Sequence, residues 1–254
     1  MFQSLKLGRL LGIDLYVHGT FWLLPLLVLF GGFGADGPGG IPVAMATLFA
    51  VFGCVALHEL GHALAAAGFG IRTRDITLSP IGGVARLERM PETALPEIVI
   101  ALAGPAVNVV IAMGLGAVLL ANYAVGSAAV YVASPVQMFL ERVFLANVGL
   151  VVFNLIPAFP MDGGRVFRAV LSLFSNRESA TAMASGVGSV IAGLFVLWGI
   201  VSIEPFLALI GVAVFLMGRA ELASVREREA YKRAVRRQAQ MPWVYYPSER
   251  VWTR

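Results

Sequence analysis

The stretch from Ile41 to Ala67 limits what this chain can fold into more than any other. It is apolar for longer than the about 20 residues a bilayer-crossing helix needs, and Glu59 is its one formally charged residue. In hydrocarbon a lone segment satisfies its backbone polar groups only as a helix. Into that helix the sequence sets His58-Glu59-Leu60-Gly61-His62. Helical spacing puts the two imidazoles on one face a turn apart, where both reach one metal ion, with Glu59 beside them to accept a proton from water. The chemistry implied is hydrolysis. Two imidazoles and a carboxylate at membrane depth are each costly without a function, which argues against a chance pattern in a packed helix.

The rest of the chain repeats the membrane signal. Apolar segments run from about Gly12 to Phe30, Ile41 to Ala67, Leu95 to Ala121, Val136 to Ile156, Gly186 to Val201 and Pro205 to Gly218. The last two are short and separated by Ser202-Ile203-Glu204, so they read as a helical hairpin or a re-entrant pair. With 58% hydrophobic and 13% charged residues, the expectation is an all-α polytopic membrane protein of about six transmembrane helices, with a short β-like segment between the second and third. Lys6 and Arg9 precede the first apolar run without a convincing cleavage site after it, so a retained first span is expected.

Charge placement gives an independent reading of the count. Of the 19 Lys and Arg, 18 fall at the N-terminus, between the second and third segments, between the fourth and fifth, or in the tail; Arg142 is the exception. By the positive-inside rule six spans then put both termini in the cytoplasm, and the second span runs from outside to inside. His58 lies about ten residues before Gly68, which places the metal roughly 15 Å from the cytoplasmic end and requires a water path from that side. The net charge of +4 reads as topology rather than nucleic-acid binding, because no RNA- or DNA-binding motif accompanies the basic residues. Cys54, the single cysteine, excludes an internal disulfide and reads as a small buried thiol between helices.

Two histidines leave the site incomplete, since catalytic zinc takes three protein ligands and an open position. His18, beside Tyr16 at the start of the first segment, suits an interfacial hydrogen bond better than ligation. Asp14, Glu97, Glu141 and Glu204 lie near span ends, within reach of interfacial water. Asp162 differs: Asn154-Leu155-Ile156-Pro157-Ala158-Phe159-Pro160-Met161 leads to it and Gly163-Gly164 follows, so prolines interrupt the helix and glycines permit a tight turn around the carboxylate. Such irregular backbone near membrane depth lines a cavity. The competing reading of Asp162 is an ordinary helix-ending Asp-Gly turn.

These residues together resemble the site-2 proteases, a family of intramembrane zinc metalloproteases. The resemblance rests on His58 to His62, on Gly104-Pro105-Ala106-Val107-Asn108, and on Asn154 to Gly164, and covers most of the chain from about Tyr16 to Arg168. It implies one zinc per chain held by His58, His62 and Asp162, with Glu59 as catalytic acid/base and Asn154 as a polar neighbour holding the substrate carbonyl or oxyanion. Met161 stands where leucine is usual, a volume-conserving change. The family's PDZ or CBS modules have no room in these 254 residues.

Arg72 to Leu87, around Ser79-Pro80-Ile81-Gly82-Gly83, reads as extended segments broken by a turn. One edge of it, through Thr77 or Leu78, is expected to hold an unwound substrate by strand addition, the alternative being a hairpin that only closes the cytoplasmic mouth. Residues 1–218 form the membrane-embedded core. Residues 219–254 form a basic tail in which Arg219 to Gln240 is a solvated helix and Met241 to Arg254, with Trp243, Tyr245, Tyr246 and Trp252, anchors at the interface.

The function expected is an intramembrane zinc endopeptidase acting on single-span membrane proteins, in the plasma (inner) membrane of a prokaryote. A CAAX-processing protease would need a glutamate on a later helix as third ligand, and none is comparably placed. A catalytically silent metal-binding chaperone that grips substrate helices is the non-enzymatic alternative, against which Glu59 argues. A zinc transporter would need a relay of sites across the bilayer.

Overall fold

The computed structural model describes residues 4–32, 35–36, 39–80, 82–91, 93–125 and 134–240. The aromatic segment Met241 to Arg254 lies outside the described residues.

The chain begins with strands rather than with a span. Leu5–Leu10 (β1) and Ile13–Val17 (β2) pair antiparallel through a turn at Leu11 and Gly12, whose φ angles of 47° and 87° match the twist of a tight hairpin. The expected span from Gly12 is therefore corrected. Ile13-Asp14-Leu15-Tyr16-Val17-His18 alternates apolar with polar, a period of two that belongs to a half-buried strand. The helical part of that segment is a 3-10 turn at Gly19–Trp22 followed by Leu23–Gly31 (α1).

Five later helices carry the membrane architecture: Gly40–Gly68 (α2), Ala94–Val125 (α3), Pro135–Asn154 (α4), Arg177–Val201 (α6) and Pro205–Gln240 (α7). All five are long and apolar enough to cross a membrane, and a ten-residue helix, Asp162–Leu171 (α5), stands between α4 and α6. α6 and α7 form the expected hairpin, turning through Ile203 and Glu204, whose backbone N–H donates to Gly199 O. α7 continues unbroken across position 218 into the basic segment.

Between α2 and α3 the chain adds Thr73–Ser79 (β3) and Gly82–Leu87 (β4), an antiparallel pair. β2 lies parallel to β3, a pairing that needs a long crossover, here supplied by α1 and α2. The sheet order is β1-β2-β3-β4, so β3 is internal and β4 is the edge nearer the His-Glu motif. Thr77 and Leu78 are thus ladder residues, correcting their expected place on a free edge. Val17, Phe21, Ile76 and Leu78 pack against Val55, Ala56 and Leu60 of α2, which seats the sheet beside the turn that bears His58 and Glu59.

Candidate metal centre

α2, α3 and α4 pack on one another, and α5 packs on α3, so four helices converge around the His-Glu turn. His58 and His62 are buried and stack edge to face one turn apart on α2. Asp162 opens α5; the helix begins there because the Pro157-to-Pro160 segment cannot continue α4, and the carboxylate sits in the first turn, where the helix dipole favours it. Asp162 Oδ2 lies 3.2 Å from both His58 Nε2 and His62 Nε2, and the two Nε2 atoms are 3.1 Å apart.

Behind this triangle each ring is tied by its other nitrogen. His62 Nδ1 donates to Ile100 O at 2.6 Å, and His58 Nδ1 meets Asn108 Oδ1 at 2.5 Å, both partners on α3. With the ring protons directed outward, three lone-pair atoms face one another at contact distance. Without a cation that arrangement is repulsive. Tetrahedral zinc with ligand distances of ~2.0–2.2 Å sets neighbouring donor atoms about 3.3 Å apart, so the donor set fits such an ion. The backbone opposite leaves space for it: a Cβ on Gly104 would stand 2.3 Å from His62 Nε2 and 2.7 Å from His58 Nε2. Among the described residues His58, His62 and Asp162 are the group able to hold a metal ion.

Glu59 points away from this triangle toward the sheet. It is half-buried, and its Oε2 accepts the Ala85 N–H of β4 at 3.0 Å. Gly83 is pressed against the same side chain, since a Cβ there would come within 2.6 Å of Glu59 Cγ. The carboxylate thus sits between the metal group and the edge strand. Asn154 ends α4 half-buried, and its Nδ2 donates to Leu150 O of its own helix at 3.0 Å rather than to the metal group.

The other candidates fall elsewhere. His18 caps the 3-10 turn, with Nδ1 2.7 Å from Thr20 Oγ1, and is outside the metal group. Cys54 is buried, and its Sγ accepts from Asn147 Nδ2. Asp14 pairs with Lys6 at 2.7 Å on the sheet, and that hydrogen bond, helped by the charges of Lys6 and Arg9, holds its carboxyl below the usual range. Glu97 does not reach interfacial water as expected: it is buried against Arg168 of α5, and Arg177 of α6 lies 3.3 Å away. Arg168 also reaches Glu221 of α7 at 2.5 Å. The sequence reading used Gly104 only as part of a motif, without its place against the imidazoles, and passed over Ala85, Asn147 and the pairing of Arg168 and Arg177 with Glu97. The buried asparagines had a signal, because an amide on an apolar membrane helix is costly unless it is bonded.

Comparison with known proteins agrees with this geometry. The profile of Peptidase family M50 matches residues 46–198, which holds both histidines, Glu59 and Asp162. A zinc metalloprotease of Methanocaldococcus jannaschii is 34% identical over 91% of this chain and 64% of its own length. Putative zinc metalloproteases of Synechocystis and of Mycobacterium tuberculosis are 33% and 30% identical over 74% and 91% of this chain, and 50% and 62% of their own lengths. This chain therefore spans between half and just under two thirds of the length of these relatives. Among solved structures, the site-2 protease from Methanocaldococcus jannaschii superposes with a TM-score of 0.60 at 29% identity, covering 87% of this chain and 95% of that one. With the motif, the buried donor set and the fold in agreement, this integral membrane chain belongs to Peptidase family M50, the site-2 protease family.

Proposed function

We propose that the chain is an intramembrane zinc endopeptidase that hydrolyses peptide bonds within or near the transmembrane segments of single-span membrane proteins. The observation that carries this reading is the convergence of His58 Nε2, His62 Nε2 and Asp162 Oδ2 within 3.2 Å, with the Glu59 carboxylate placed between that group and an open strand edge.

His58, His62 and Asp162 would hold one zinc ion. When bound, it supplies Lewis-acid chemistry, polarising the scissile carbonyl and making water acidic enough to attack at neutral pH. Glu59 takes the proton of the attacking water and returns it to the leaving amine. Asn154 turns its amide from Leu150 O to the substrate carbonyl. β4 receives the substrate: as an edge strand of the sheet it pairs with an unwound segment and holds that backbone extended.

Residues 1–218 act as the membrane-embedded core, and residues 219–254 as a basic cytoplasmic tail whose charge suits anionic lipid. The charge asymmetry favours both termini in the cytoplasm of a prokaryotic inner membrane, with the site opening to that side and cleavage in the cytoplasmic half of the substrate span.

The test separates ligand from base. Detergent-purified Glu59→Gln should keep zinc and helical content but lose cleavage of single-span substrates by about two to four orders of magnitude. Asp162→Ala should lose the zinc itself. Normal turnover in Glu59→Gln would leave the catalytically silent chaperone excluded but the mechanism wrong; no turnover in the parent chain with any substrate would favour the chaperone.

A further inference from the structure

His62 has no choice of tautomer, because Ile100 O can only accept and the ring must carry its proton on Nδ1. His58 is less constrained by its neighbour. Its Nδ1 faces a side-chain amide, and an amide turned over would present NH2 instead of oxygen. The ring would then accept at Nδ1 and carry its proton on Nε2, pointed into the cluster of ligand atoms. Something must hold Asn108 the right way round.

We infer that Asn147, which touches neither the metal group nor the substrate edge, is the positioning residue that fixes the tautomer of His58 through Asn108. The polarity of the relay is set at its far end. Val143 O, one turn back on α4, is a carbonyl and accepts from Asn147 Nδ2 at 2.8 Å. Asn147 Oδ1 is thereby turned to Asn108, whose Nδ2 donates to it at 2.8 Å. Asn108 Oδ1 is left facing His58, where it accepts the Nδ1 proton. Asn147 Nδ2 also reaches Cys54 Sγ at 3.3 Å, one turn before His58 on α2, so the relay returns to the helix it serves. Asn108 and Asn147 are both 0% exposed, which keeps solvent from replacing either partner. Every group in the chain has one role that satisfies all the others. Reversing one amide would set NH2 against NH2 or oxygen against oxygen in a buried site.

The inference rests on the metal-centre reading, and the experiment is chosen so that the two can fail separately. The full-length protein would be purified metal-free with 15N-labelled histidine, and zinc affinity measured by competition with a chelator. Wild-type protein should show His58 as the Nδ1-protonated tautomer before any metal is added. Asn147→Leu should shift it toward the Nε2-protonated form and weaken zinc about 10- to 100-fold, the range usual for the partners behind metal ligands. The decisive variant is Asn108→Asp combined with Asn147→Leu: a carboxylate can only accept from Nδ1, so tautomer and affinity should return without Asn147. The same comparison with Asn147→Ala replaces the leucine variant if that does not fold. An unchanged tautomer in Asn147→Leu, or a double variant as weak as the single one, would overturn the inference. Failure of wild-type protein to bind zinc, with the tautomer pattern intact, would overturn the metal-centre reading alone.

Discussion

A metal site is made as much by what a residue lacks as by what it carries. Gly104 contributes no donor, yet any side chain there would stand among the ligand nitrogens. The about 1 kcal/mol that Gly104→Ala adds by helix propensity is offset by overpacking against two buried rings, about 1–3 kcal/mol, so stability should not rise. Zinc binding should fall by at least tenfold, roughly the loss expected when a coordination site is blocked or displaced. Metal analysis alongside thermal melting checks both, and an alanine variant with full zinc would place the ion elsewhere. The legibility of the site follows the same division. His58, Glu59 and His62 were readable because helical spacing puts them in one turn. Asp162 is 104 residues from His58 and was marked by the prolines and glycines around it and by the family resemblance. Asn147 stood out only as an amide on an apolar helix; its partner Asn108 is 39 residues away, and no local periodicity links two asparagines on different helices. Glu97 was misread as solvent-facing because its partners Arg168 and Arg177 come from two later helices.

At the level of the elements, α5 and β4 do the placing. α5 carries Asp162 at its start and Arg168 near its end, and Arg168 is fixed to Glu97 of α3, one turn before the Ile100 carbonyl that orients His62. The helix that opens with Asp162 and the carbonyl that orients His62 are thus joined by one buried ion pair. Removing either charge leaves the other with one remaining partner, Arg177 for Glu97 and Glu221 for Arg168, so the cost should stay below the about 3–5 kcal/mol of a buried charge left with none. β4 has Ala85 N–H directed outward to Glu59, so by the alternation of antiparallel pairing its ladder bonds to β3 run through the neighbouring residues. Proline at position 85 therefore removes the N–H that Glu59 accepts without removing a ladder bond. Ala85→Pro should leave zinc bound and slow cleavage by up to about tenfold, the worth of one hydrogen bond. Cleavage rates measured beside zinc content decide it, and unchanged turnover would show that the Ala85 N–H does not hold the Glu59 carboxylate for catalysis. The β3–β4 hairpin was legible from its turn residues. β1 and β2 were not, because their apolar residues merged with those of α1 into one hydropathic run, although the alternation was present to be read.

For the whole molecule the order of the sheet bears on parity. β2 and β3 are hydrogen-bonded neighbours, while α2 between them is long enough to cross. We propose that the chain from Val17 to Gly40 crosses back, for six crossings in all, with β1 and the end of α7 on the same side. Single-cysteine substitutions tested with a membrane-impermeant thiol reagent should agree: Arg9→Cys, Arg89→Cys and Arg228→Cys should label from the cytoplasmic side, and Asp36→Cys from the opposite one. Labelling of Asp36→Cys and Arg89→Cys from the same side would break the parity.

The helical part of the segment from Val17 to Gly40 is short for a crossing. The 3-10 turn and α1 together hold 13 residues and reach about 22 Å, against a hydrocarbon layer of ~30 Å. The shortfall of about 8 Å has a counterpart in the sheet, which packs beside Val55 to Leu60, in the middle of α2 rather than beyond its end. The strands have already carried the chain below the surface before α1 begins. A stretch that short is met by local thinning of the bilayer or by flanking polar groups reaching out to the interface, and either draws the polar boundary toward His58 and His62 on this face. A helix in the membrane that drifted against that face would meet interfacial water earlier along its length than it would in undisturbed lipid.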